Sequence, residues 1–156
     1  MRKGPGRSPS QGPSLKNRAL AHLARREHSR LELEKKLAPH ATTPDELSAV
    51  LDELERDGWL SSNRVMEQVI HMRKSRFGSR RIAHELREKG IAENLIAAAL
   101  PNLLETEQVT AREVWRKKFG VIPGNAKEFM RQMRFLSGRG FSSAVITRVL
   151  RNPEDE

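Results

Sequence analysis

Residues 89–100 read KGIAENLIAAAL, and residues 139–150 read RGFSSAVITRVL. Both have a base, a glycine, a large apolar residue, two small or polar residues, then an apolar-spaced run closing on leucine. A glycine just past an apolar-periodic run is where a helix stops, because it enters the left-handed region without the penalty a β-carbon imposes. The polar residues that follow can cap a new helix. The phrase therefore reads as a joint between two helices, written twice. A fainter version, HATTPDELSAVL, occupies 40–51.

The apolar registers extend the repeat in both directions. Leu33, Leu37, Leu47, Val50, Leu51 and Leu54 fall 49 residues before Ile82, Leu86, Ile96, Ala99, Leu100 and Leu103. Leu86, Gly90, Ile91, Ile96 and Leu100 fall 50 before Leu136, Gly140, Phe141, Ile146 and Leu150. A period near 50 marks tandem modules that bury surface against their neighbours. The expected fold is all-α: three tandem three-helix repeats resembling helix-turn-helix modules, in an elongated, curved array.

Start and stop signals place the helices. Ser14 caps a first helix to about Glu27, with Ala19, Leu20, Leu23 and Ala24 on one face. Ser29 and Glu32 fit a capping box for a second helix, which Pro39 ends. Thr43, Pro44, Asp45 and Glu46 open a third, stopped by Gly58. In the next repeat, Ser61 or Ser62 caps a helix to about Phe77, Gly78-Ser79 starts another, and Ala92 begins a third that Pro101 should kink or end near Leu104. In the last, a helix runs from Thr106 to Phe119, Asn125 caps the next, and Ser142 or Ser143 caps the final one. The predicted division is a disordered basic tail at 1–14, repeats at 15–60, 61–104 and 105–151, and an acidic tail at 152–156.

Composition narrows the function. The chain carries 29 Lys and Arg against 20 Asp and Glu, a formal charge of +9, which points to an acidic partner. It has no cysteine, so disulfides, cysteine zinc sites and thiol nucleophiles are excluded. No apolar run is long enough to span a membrane, and no apolar stretch follows the basic start as a signal peptide requires. There is no phosphate-binding GxxxxGK[ST], no HExxH and no GxSxG elbow. The expectation is a non-enzymatic protein without cofactor or metal.

What remains is a set of bases beside helix ends and glycines. Arg64, Arg73, Lys74, Arg76, Arg80 and Arg81 lie across the first joint of repeat two. Arg112, Arg116, Lys117 and Lys118 decorate the helix of Trp115, and Arg131, Arg134 and Arg139 the last repeat. Arg73 falls inside the apolar arc of Val65, Met66, Val69, Ile70 and Phe77: either its stem packs while its head reaches the rim, or its guanidinium is aimed into a groove. Bases along a long surface bind nucleic acid through counterion release, so the thirteen are candidate partner- or nucleic-acid-binding residues.

Three stretches together resemble the RecX family of recombination regulators: REHSRLELEKKL at 26–37, FGSRRIAHELREKGI at 77–91, and RQMRFLSGRGFSSAVI at 131–146, preceded by Lys117-Lys118-Phe119. The resemblance covers about 18–151. It implies tandem three-helix modules, a cytoplasmic setting, and binding to the RecA recombinase, along the groove of the RecA–DNA filament, that restrains its activity. One corner departs from the family. After Gly58-Trp59-Leu60 the family commonly has Asp-Asp, a variable residue, then Arg-Phe-Ala. Here Ser61-Ser62-Asn63-Arg64-Val65-Met66 keeps the arginine and puts serine at the helix start.

The leading reading is a monomeric regulator of RecA filaments that also binds single- or double-stranded DNA without strong sequence preference. The alternative is a helix-turn-helix-type protein acting directly on DNA. The third helices of repeats one and two start Pro44-Asp45-Glu46 and Ala92-Glu93-Asn94, and such acids repel phosphate. An RNA-binding helical repeat would want aromatic platforms, which the composition does not favour.

Overall fold

A computed structural model describes residues 12–151. The acidic end and all but residues 12–14 of the basic start lie outside this range. Among the described residues there are eight α-helices and no strand: α1 (Leu15–Arg25), α2 (Arg30–Leu37), α3 (Pro44–Arg56), α4 (Ser62–Arg73), α5 (Ser79–Glu88), α6 (Glu93–Lys118), α7 (Ala126–Gly138) and α8 (Ser143–Arg151). The chain forms two compact bodies dividing at Val65 and Met66.

In the first body the helix starts follow the capping chemistry. The Ser14 hydroxyl accepts the Asn17 N–H, and Thr43 accepts that of Glu46 behind Pro44. At α2 both halves of the capping box form: Ser29 Oγ accepts from Glu32 N–H, and Glu32 Oε1 from Ser29 N–H. A 3-10 turn at Ala38–His40 then makes the joint that glycine makes later in the chain. The core is Leu15, Ala19, Leu33, Leu37, Leu51, Leu54 and Leu60. Each fully buried leucine contributes about 1.5–3 kcal/mol.

In the second body the doubled phrase is a doubled structure. Gly90 and Gly140 have φ of 80° and 91°. After them, the N–H of Ile91 returns to the Leu86 carbonyl at 3.0 Å and that of Phe141 to the Leu136 carbonyl at 3.3 Å. This is the Schellman closure, and it buries the apolar residue after each glycine. Repeat two packs around Val69, Ile82, Leu86, Ile91 and Ile96, and repeat three around Trp115, Leu136, Phe141, Ile146 and Leu150.

The structure corrects two helix boundaries. α4 ends at Arg73, with a turn before Phe77. More consequentially, Pro101 ends nothing: α6 is one 26-residue helix serving as third helix of repeat two and first of repeat three. Proline removes one N–H and crowds the preceding turn, but packing on both sides outweighs that local cost. The first half of α6 buries Ile96, and the second half puts Ala111, Val114 and Trp115 into the last core. Position 104/105 therefore lies inside a helix.

Candidate functional site

The joint between α4 and α5 docks on the joint between α7 and α8 through backbone. The N–H of Gly78 donates to the Arg139 carbonyl at 2.8 Å, and that of Arg80 to the Gly140 carbonyl at 3.2 Å. Gly78 is the N-cap of α5 and has no side chain to cap with. Ser79, the expected cap, is the first helical residue, and its N–H is met from far along the chain by Glu107. That carboxylate is 3% exposed, and its two oxygens accept the N–H groups of Ser79 at 3.3 Å and Ser142 at 3.1 Å. One buried acid thus ties together the starts of α5 and α8.

This docking gathers cations around aromatic rings. The half-buried ring of Phe77 has four guanidinium carbons near it: Arg81 at 4.7 Å, Arg139 at 5.3 Å, and Arg73 and Arg76 each at 5.9 Å. Phe135 has Arg139 at 5.0 Å and Lys118 at 5.3 Å, and its edge meets Phe119 at 5.4 Å. Arg131 lies 5.0 Å from Phe119. Guanidinium groups at such distances are held by ring quadrupoles, whose attraction leaves the charge in place.

The hydrogen bonds have the same consequence. Arg81 Nη1 donates to the Gly138 carbonyl at 3.0 Å, and Arg139 Nη1 to the Arg76 carbonyl at 3.1 Å. Carbonyls orient a guanidinium without neutralising it. Among the described residues, Arg73 alone of the four around Phe77 has a carboxylate, with its Nε 3.0 Å from Glu85 Oε1. Arg73 is thus paired at the rim rather than directed into a groove. Beside this cluster is a cleft of about 300 Å³ lined by Ser75, Arg76, Lys117, Lys118, Phe135 and Arg139, among others. Its acid, Glu113, is bound to Arg116 at 3.0 Å.

The other expected bases divide by their partners. Lys74, Arg80, Lys117 and Arg134 are exposed, with no side-chain ion pair or hydrogen bond among the described residues. Arg131 is held by both oxygens of Glu128, and Arg131 and Gln132 keep the Glu128 carboxyl below the usual carboxylate range. Arg64 belongs to the first body. Its Nε pairs with Glu27 at 2.8 Å and its Nη2 donates to the carbonyls of Gly58 and Trp59, so it ties the end of α3 to the start of α4. The departure from the family pattern keeps its function there: Ser61 Oγ accepts the Arg64 N–H, and Val65 and Met66 are buried.

Arg112 requires correction. It is 4% exposed, one residue from Ala111 on the inward face of α6, with Nε and Nη2 unpaired. It is not part of the open basic surface. Sequence reading also missed Phe77, Phe119 and Phe135 as the scaffold that orders the bases. A signal was available in phenylalanine adjoining bases, as in RF at 76–77 and 134–135 and KKF at 117–119. Among the described residues no group of acids and histidines could hold a metal ion, and no helix is long and apolar enough to cross a membrane.

Comparison with known proteins follows the same division into repeats. Models of the first, second and third three-helix domains of RecX match residues 16–54, 63–100 and 105–150. "Regulatory protein RecX" of Leptothrix cholodnii is 52% identical, over 92% of this chain and 91% of its own. The protein of the same name from Ralstonia nicotianae is 43% identical, over 94% and 92%. The crystal structure of RecX from Lactobacillus salivarius superposes with a TM-score of 0.73 at 21% identity, covering 90% of this chain and 94% of that one. At that identity the superposition speaks for the fold.

Proposed function

Because the chain belongs to the RecX family of regulatory proteins, we propose that it binds the RecA recombinase and the RecA–DNA filament and restrains their recombination, ATPase and coprotease activities. It does so by occupying a surface, without catalysis, as a monomer in the cytoplasm. Direct binding to single- or double-stranded DNA supports this action and has little sequence preference, since phosphates rather than base edges are its targets.

The observation that carries the reading is the cluster at Phe77. Arg81 and Arg139 are held by rings and carbonyls and Arg76 lies 5.9 Å from the ring, with no carboxylate partner for any of the three among the described residues. Lys117 and Lys118 extend the positive charge along the adjoining cleft. An array ordered before binding loses less side-chain entropy when an anion arrives. A DNA-reading helix-turn-helix protein is favoured less. The starts of α3 and α6 carry Asp45, Glu46 and Glu93, and Glu107 already occupies the starts of α5 and α8.

The test is RecA-promoted strand exchange with increasing amounts of the chain, alongside a pull-down from extract with and without nuclease. Inhibition, together with a RecA-sized partner that survives nuclease, is expected. Strong binding to one duplex sequence at high salt, without capture of RecA, contradicts the proposal.

A further inference from the structure

The second body has another basic concavity, of different chemistry from the aromatic cleft. It is about 580 Å³, bounded by α5, the end of α7 and the middle of α6. Its walls carry Arg80, Arg81, His84 and Arg87, and its floor includes Leu100 and Leu104. No carboxylate lines it. Two nearby acids are engaged: Glu88 faces His84 at 3.5 Å and Glu93 pairs with Arg87 at 2.7 Å. Arg80 has no partner for its side chain among the described residues, and Arg81 has a carbonyl and the Phe77 ring, neither of which cancels its charge.

The floor is anomalous when set against the repeat. Leu51 and Leu150, which share the register of Leu100, are 0% and 2% exposed and belong to closed cores. Leu100 is only half-buried, and Leu104, one turn further, is 56% exposed. Both leucines lie on the stretch of α6 between Ile96 and Glu107, the last residue buried in repeat two and the first buried in repeat three, where no side chain is fully buried. The result is an open apolar core end under a rim on which Arg80 and Arg81 have no carboxylate partner among the described residues. Phosphodiester would satisfy the rim and leave the floor wet. A segment with branched apolar side chains flanked by Asp or Glu satisfies both.

We infer that the groove between α5 and α6 is a protein-docking site for an acidic segment of the partner that inserts an apolar side chain over Leu100 and Leu104, while phosphate is left to the aromatic cleft. This rests on the reading of RecA as that partner. The two faces then divide the filament between them, one taking protein and the other nucleic acid.

The test uses the full chain and two independent variants, Leu104→Glu and Arg80→Glu. Both are exposed positions on helices, and glutamate near the start of α5 suits the helix dipole. Circular dichroism and melting check the fold. Binding is measured separately to purified RecA without DNA and to a 30-nucleotide single strand. Each variant is expected to bind RecA at least about tenfold more weakly, as a centrally placed anchor does, with single-strand affinity changed less than about threefold. If the parent binds RecA and both variants bind it equally well, the groove is not the docking site and the RecA reading stands. If the variants lose the single strand as much as RecA, the groove is a nucleic-acid surface and the inference is wrong. A parent chain with no affinity for RecA overturns the underlying reading and this inference together.

Discussion

Gly78 and Gly140 lie backbone against backbone: a β-carbon on Gly78 would stand 2.4 Å from the Gly140 carbonyl oxygen. The contact is reciprocal in kind, since a β-carbon on Gly140 would stand 2.3 Å from that of Arg81. Two joints 62 residues apart in the chain, the first of repeat two and the second of repeat three, thus meet closely because neither glycine has a side chain. Three substitutions separate the causes. Gly58→Ala meets positive φ (82°) with nothing within 4 Å, so only strain acts, about 1–2 kcal/mol. Gly78→Ala has ordinary φ and meets only the backbone collision, which is expected to cost about 1–3 kcal/mol. Gly140→Ala meets both and should destabilise most. Urea unfolding gives the order, and a Gly78→Ala protein as stable as the parent would show that the joints do not press together.

Glu107 has an equally specific consequence. Its two oxygens receive N–H groups from Ser79 and Ser142 inside the protein. Glu107→Gln keeps one acceptor and turns an NH₂ toward the other donor. The expected loss is about 1–3 kcal/mol, with faster amide exchange at residues 79 and 142 together. Exchange that rises at only one of them would mean the acid caps a single helix.

The first body should weaken in mild acid. His28 is 2% exposed; its Nδ1 lies 3.0 Å from the Arg26 carbonyl and its Nε2 lies 3.3 Å from Lys36 Nζ. The ammonium can only donate, so Nε2 accepts and Nδ1 carries the proton. Burial, with Arg26 and Lys36 nearby, holds the His28 pKa below 6.5, and burial also lowers that of His22, whose ring is 5.6 Å away. The unfolded chain therefore binds protons that the folded one refuses. Stability is retained above the unfolded pKa near 6.5 and falls as pH drops below it. Glu53, whose pKa lies below 4.5, adds a loss to this body only at lower pH. Urea midpoints between pH 7.5 and 5 test this. A flat profile, or one that rises toward pH 5, would contradict it.

Local chemistry was legible in the sequence, and long-range chemistry was not. Ser14, Ser29, Thr43, Ser61, Asn125 and Ser142 all accept the N–H groups their spacing indicated, because a cap is decided within four residues. Gly90 and Gly140, the glycines of the doubled phrase, take the expected left-handed conformation for the same reason. Pro101 misled because its local preference is opposed by packing along the whole of α6, which no short window contains. Glu107 was invisible as a cap, since its donors lie 28 and 35 residues away. Arg112 read as surface charge because helical phase alone does not say which neighbour covers a base, and the Glu27 partner of the exposed Arg64 lies 37 residues away.

The central claim is that uncompensated bases on ordered helices of the second body, rather than the basic start of the chain, do the inhibiting. Its most direct test replaces Arg76, Lys117, Lys118 and Arg134 together by Ala. All four are exposed, and none has an ion pair among the described residues. The comparison is Arg2, Lys3 and Arg7 replaced together, with inhibition of RecA strand exchange as the readout and helicity checked for both proteins. At up to about 1 kcal/mol per contact, the quadruple variant should inhibit on the order of 10²–10³ times less well, with unchanged helicity. The variant at the start of the chain should differ from the parent only several-fold. A folded quadruple variant that inhibits like the parent, while the other fails, would contradict the account.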